Sequence, residues 1–112
     1  MATRYVPESG DVIWLQFTPQ AGHEQAGHRP ALVLSPQSYN ARVGLAIVCP
    51  ITSSIKGYPF EVQLPPKFPV KGAVLSDQLK SIDWKIRGAT FIDSVPAHVL
   101  IDVRARVAAL IG

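Results

Sequence analysis

"DVIWLQF", residues Asp11 to Phe17, sets Val12, Trp14 and Gln16 against Ile13, Leu15 and Phe17. Successive side chains of a strand point to opposite faces. A run in which both sets are largely apolar therefore describes a strand covered on both sides, or one rolled into a barrel. Trp14, in the middle of it, reads as core.

Outward from this segment the pattern repeats. "PALVLSP" and "GLAIVCP" read as further strands, each closed by a proline that cannot donate to a ladder. "YPFEVQL" alternates with Phe60, Val62 and Leu64 on one face, while "GAVLSDQL" and "IDWKIRGATFI" supply the last strands. Ten prolines and eight glycines punctuate these short runs, as many-stranded chains require. Near the C-terminus the period changes. Val99, Leu100, Val103, Val107, Leu110 and Ile111 form a helical stripe, with Ser94 or Val95 to cap its start, Pro96 in its first turn and Gly112 at its end. Asp102, Arg104 and Arg106 fall off the stripe and face water. "SPQSYNARVG" leaves room for a short helical turn. The expectation is a mainly β protein with helical additions: a small, curled antiparallel sheet or barrel with a helix packed on it.

With 112 residues, 47% hydrophobic and 17% charged, the chain has the size and composition of one globular domain, residues 1–112. No run approaches the roughly 18 apolar residues of a membrane span, and "MATRYVPESG" lacks the apolar stretch of a secretory signal. The expectation is a cytoplasmic protein without membrane contact. Cys49 stands alone in "LAIVCPI", which favours a buried, inert thiol. His23, Glu24 and His28 fit no zinc spacing, so neither a metal nor another cofactor is expected. A formal charge of +3 favours a polyanionic partner only mildly, because the eleven basic residues are dispersed.

Chemistry gathers in three stretches. "TPQAGHEQAGH" (Thr18–His28) is long for a hairpin loop, polar, and ends against Arg29. Pro30 drives Arg29 into an extended conformation where loop meets strand. A guanidinium anchored there suits a phosphate, although pairing with Glu24 or capping a strand end are its plain alternatives. In "CPITSSIKGYPF", Thr52, Ser53 and Ser54 offer hydroxyls and Lys56 a charge, a set suited to phosphate oxygens or to an ordinary turn. "SDQLKSIDW" places Asp77 and Gln78 at a strand end, where they read base edges or cap a turn. Tyr39, Tyr58 and Trp84 are candidates for base stacking, each with a core role as its alternative.

The stretches "RYVPESGDVIWLQFTP", "GHEQAGHRPALVLSPQSYN", "CPITSSIKGYPFEV" and "LSDQLKSIDWKIRGA" resemble, in order, the MazF/PemK family of toxins from bacterial type II toxin–antitoxin systems. The resemblance runs from Arg4 to the final "ALIG". It implies an SH3-like barrel with helical additions, acting as a homodimer. It also implies a sequence-specific, metal-independent endoribonuclease that cuts single-stranded RNA, chiefly mRNA, and arrests growth. A MazE-like antitoxin with an acidic, flexible C-terminal segment would hold it inactive. Carried over motif by motif, the family's catalytic arginine falls on Arg29, its catalytic threonine on Thr52, and a glutamate linked to activity on Glu24. His28, Lys56, Asp77 and Gln78 are then the expected RNA-binding residues.

In such a reaction the ribose 2′-OH attacks the adjacent phosphorus, leaving a 2′,3′-cyclic phosphate and a 5′-OH. The protein supplies alignment, proton transfer and charge stabilisation. Arg29 would bind the phosphate. Glu24 would accept the 2′-OH proton or orient Arg29, and His28 would protonate the leaving oxygen or simply pack beside the strand. Thr52 would donate to a nonbridging oxygen. Two features depart from better-known members: the proline-rich "QLPPKFPVKG" (Gln63–Gly72) and His23, both where substrate or antitoxin choice is set. The rival class is a CcdB-type toxin, which shares the barrel and acts by binding a protein such as DNA gyrase without cutting RNA.

Overall fold

In the computed structural model, which describes residues 5–17 and 27–112, the order is β1 (Asp11–Phe17), β2 (Gly27–Val33), α1 (Gln37–Val43), β3 (Ala46–Thr52), β4 (Glu61–Gln63), β5 (Ala73–Leu75), β6 (Lys80–Ile82), β7 (Thr90–Ser94) and α2 (Ala97–Ile111). The described strands form one antiparallel sheet in the order β4-β5-β3-β2-β1-β7, with β6 also on β3. The end strands β4 and β7 do not pair with each other, so the barrel stays open. Among the described residues no helix is long and apolar enough to cross a membrane.

Alternation along β1 feeds two cores. Val12 joins Leu32, Cys49, Ile51 and Val74 beneath Val99 and Val103 of α2. Ile13, Leu15 and Phe17 point the other way, to Ala31, Val33, Val48, Ile82 and Trp84. The expectation of a strand covered on both faces holds at Val12 and Ile13 but fails at Trp14. That residue lies on the same face as Val12, beyond the reach of α2, and is 36% exposed. Trp84 is corrected in the opposite sense. It is buried at 5% exposure, and its indole N–H donates to the Asn40 carbonyl at 3.0 Å, so it is no stacking platform for a base.

Three strand boundaries also differ from the sequence reading. β2 starts at Gly27, which puts Arg29 inside the strand, opposite Leu15, rather than where loop meets strand. β3 does not stop at Pro50. It runs on to Thr52, because Cys49 and Pro50 fall between the end of the β6 pairing at Val48 and the start of the β5 pairing at Ile51. With no partner on that side, a missing N–H costs little there. "IDWKIRGATFI" is not one strand. The Asp83 carboxylate accepts from the Ile86 N–H and its carbonyl from the Arg87 N–H, folding a turn that closes at Gly88 with φ +65°.

The short helix expected in "SPQSYNARVG" is α1. It carries Asn40, fully buried, whose amide donates to the carbonyls of Pro7 and Ser35 and accepts from the Ser35 hydroxyl. These bonds, with the one from Trp84, tie the N-terminal segment, α1 and the β6–β7 turn together. Such a fully satisfied buried network fixes one arrangement. The α2 stripe is right through Val107 and wrong beyond it. Leu110 and Ile111 are 47% and 77% exposed, since no described element reaches the last turn. Pro96 occupies the N-cap, and the Ser94 hydroxyl donates instead to Asp11 at 3.1 Å. Asp102 and Arg106 pair at 2.9 Å along the helix, an exposed pair worth about 0.3–0.5 kcal/mol.

Candidate active site

The β2–β3 register decides how the site is assembled. Ala31 faces Pro50 and Leu32 faces Cys49. Carried two residues further, the same register sets Arg29 opposite Thr52, on neighbouring strands. These two residues, 23 positions apart in sequence and drawn from two of the three chemistry-bearing stretches, are thus set toward one end of the sheet. On either side of this seam lies a concavity.

The first holds about 350 Å³ and is walled by Arg29, Trp14, His28, Pro30 and Ser53, with Pro69, Val70 and Lys71 across from them. Trp14 and His28 are stacked, with ring centroids 5.1 Å apart and planes inclined by 26°. The far wall belongs to the proline-rich stretch Gln63–Gly72, and the Lys71 ammonium donates to the Pro66 carbonyl. The departure noted in the sequence therefore lies against the cavity.

The second holds about 380 Å³ and gathers Thr52, Lys56, Asp77 and Gln78, four of the expected site residues, with Ser54, Tyr58 and Glu61. Thr52 is 7% exposed, and its hydroxyl oxygen accepts from the Ser54 N–H at 3.1 Å, which leaves the hydroxyl proton to donate. Both oxygens of Glu61 accept from the Lys56 N–H at 3.1 Å, and one also accepts from the Gly57 N–H at 2.6 Å, so a carboxylate pins the backbone that carries Lys56. The Tyr58 hydroxyl donates to Asp77 Oδ1 at 3.0 Å. Its phenol is pushed up to about 12, by burial first and then by the hydrogen bond and charge of Asp77 and the charge of Glu61. Gln78 presents a buried Oε1 with no hydrogen-bond partner.

Gly72 lets these walls come together. Its φ is +132°, and a Cβ there would lie 2.0 Å from the Thr52 carbonyl oxygen. Only glycine permits that approach. Beneath the site, burial and then the charge of Asp77 push the Cys49 thiol up to about 12, and it lies in the core as expected.

Of the seven expected site residues, the first cavity takes Arg29 and His28, and the second takes Thr52, Lys56, Asp77 and Gln78. Glu24 and His23 lie outside the described residues. Reading the sequence alone misses Trp14, Glu61 and Gly72. Tyr58 appears there only as a stacking candidate, whereas its hydroxyl anchors Asp77. Its place between Gly57 and Pro59 in "KGYPF", two positions from Lys56, is the available signal. Glu61 had none, since it reads as the solvent-facing partner of Phe60 and Val62.

The family model for PemK-like, MazF-like toxins of type II toxin–antitoxin systems matches residues 8–111, a span that includes every described strand and helix. The chain belongs to this family. Within it, the chain is 49% identical to the endoribonuclease toxin MazF of Escherichia coli strain K12 over 112 residues, all of both chains. It is 32% identical over 108 residues to the E. coli endoribonuclease PemK, covering 93% of this chain and 81% of that one. The crystal structure of MazF from Deinococcus radiodurans superposes with a TM-score of 0.94 at 54% identity, covering 97% of this chain and 99% of that one. A MazE–MazF complex from the same organism gives 0.89 at 54% identity, covering 97% and 98%. The MazF-like fold is thus the open, bent sheet with α2 described above.

Proposed function

We propose that this chain is the toxin of a type II toxin–antitoxin system and that it cleaves single-stranded RNA, mRNA above all, by a sequence-specific, metal-independent endoribonuclease reaction. It acts as one domain spanning residues 1–112, as a homodimer in the cytoplasm, and is neutralised by a MazE-like antitoxin. Relatives named as endoribonucleases support the activity, and the relatives crystallised as MazE–MazF complexes support the partner. What carries the reading is the β2–β3 register, which continued past the Ala31–Pro50 pair sets Arg29 toward Thr52, with a concavity lined by each. Each concavity is near the small end of ligand-pocket volumes, roughly 300–1,000 Å³, so a chain-like substrate would span both with its phosphate at the seam.

Arg29 and the Thr52 hydroxyl bind the nonbridging oxygens of the scissile phosphate and stabilise the charge that builds there. The 2′-oxygen forms its bond to phosphorus as the bond to the 5′-oxygen breaks. Glu24 takes the 2′-OH proton, and an imidazolium proton of His28 goes to the departing 5′-oxygen. Lys56 holds backbone phosphate, while Asp77 and Gln78 read a base edge. The orphan Gln78 Oε1 supports this last role, because a buried acceptor without a donor favours a substrate that brings one.

Incubation with a long single-stranded RNA in EDTA, followed by mapping of the new 5′ ends, tests the reading. Discrete cuts with 5′-OH termini are expected. Intact RNA alongside inhibition of DNA gyrase would move the chain to the CcdB class.

A further inference from the structure

The geometry points to Trp14 as the positioning residue for His28: its ring holds the imidazole in the pose from which it delivers a proton beside Arg29. The inference rests on the ribonuclease reading and extends it to a residue outside the three stretches of polar chemistry.

An exposed histidine on a strand normally moves between rotamers, and a proton donor needs a fixed pose. Enzymes usually orient such a base or acid with a hydrogen bond from a third group. Among the described residues no hydrogen bond holds the His28 ring; it stacks on Trp14 with centroids 5.1 Å apart and planes inclined by 26°. That geometry is the offset stacking preferred by aromatic pairs, whose centroids lie about 4.5–7 Å apart.

The sheet register makes the contact. Trp14 faces Pro30 and Gln16 faces His28, so Trp14 and His28 are diagonal neighbours on one face of β1 and β2. A stacked face leaves the ring edge free, and both rings line the cavity. The charged groups that share this cavity are Arg29, beside His28 on β2, and Lys71 from the opposite wall. Both are cations that draw a phosphate toward the imidazole. Trp14 is large, 36% exposed and apolar at the rim of a charged cavity. Core packing does not account for such a placement, whereas holding a neighbouring ring does.

The test combines kinetics with spectroscopy on the full chain. Cleavage of a dye- and quencher-labelled single-stranded RNA carrying a mapped cut site is followed against pH for the parent, Trp14→Ala, Trp14→Phe, His28→Gln and the Trp14→Ala/His28→Gln pair. Trp14→Ala should lower kcat about tenfold with KM within about twofold, and reshape the limb of the pH profile that His28→Gln removes. Trp14→Phe should restore most of kcat. In the His28→Gln background, Trp14→Ala should cost nothing more, since the two act as one unit. The His28 ring resonances should leave their stacked shifts in Trp14→Ala and keep them in Trp14→Phe.

A change confined to KM would make Trp14 a base platform, and one confined to antitoxin affinity would make it a protein contact. Either result overturns the positioning role, as do additive losses in the double variant. A parent that cuts no RNA while the ring resonances still report the stack would instead overturn the ribonuclease reading on which the inference rests.

Discussion

In the cavity beside Arg29 the Trp14 and His28 rings are set by stacking, whereas beside Thr52 the polar groups are tied into place by hydrogen bonds. Trp14 and His28 stack without a hydrogen bond between them, and Pro30, Pro69 and Val70 complete that side. Across the seam, Glu61 clamps the turn at Lys56 and Gly57, Tyr58 anchors Asp77, and Ser54 engages Thr52. The difference suggests a division of labour. Stacking fixes the plane of a proton donor yet leaves its edge free to react. A hydrogen-bonded wall fixes donors and acceptors at set positions, which is what discrimination between bases needs. The first cavity should then govern rate and the second selectivity.

Substitutions at the seam should have the largest effect on both. Arg29→Ala is expected to lower kcat by at least about 10³-fold with the melting temperature nearly unchanged, because an exposed strand side chain contributes little to stability. Thr52→Val, close in shape, should lower kcat about 10²-fold through loss of one donor to the developing charge. If either variant altered the cut sites while keeping the rate, the seam would belong to recognition and the division would fail.

Gly72→Ala comes next and is structural. Its Cβ must displace the Thr52 carbonyl, so a loss of about 1–3 kcal/mol in denaturant unfolding is expected, together with reduced cleavage. Within the hydrogen-bonded wall, Gln78→Leu should change the pattern of mapped cut sites with a kcat loss below about tenfold on its best remaining site. A uniform loss at every site would assign Gln78 to the chemistry instead.

The smallest effect belongs to Tyr58→Phe, and its sign follows from the phenol. In the folded protein that group titrates near 12, above the ordinary tyrosine value of 10. Its protonated form is thus favoured by folding, and the stability it contributes is complete below pH 10 and lost as pH rises through about 12. Tyr58→Phe should melt slightly below the parent at neutral pH, and the gap should close in that alkaline window. A gap that widens there would reverse the assignment.

Much of this is legible in the sequence. The strand–helix order follows from periodicity, and local chemistry with the family resemblance points to Arg29, Thr52, Lys56, Asp77 and Gln78. What periodicity could not give was coverage. It reports that Val12 and Trp14 share a face, but not that α2 packs over Val12 and ends short of Trp14. For the same reason Leu110 and Ile111 belong to an apolar stripe and still meet solvent. Trp84 shows the converse, since a turn closed by Asp83 and Gly88 carries an indole inward that a strand would have displayed. Registers were invisible too, and the Arg29–Thr52 seam is a consequence of register.

That seam is tested most directly by a structure of the chain bound to a single-stranded RNA whose scissile ribose lacks its 2′-OH, which blocks cleavage while keeping the phosphate. The scissile phosphate is expected within hydrogen-bonding distance of both the Arg29 guanidinium and the Thr52 hydroxyl, with flanking nucleotides in the two cavities. A phosphate bound away from both side chains would contradict the account.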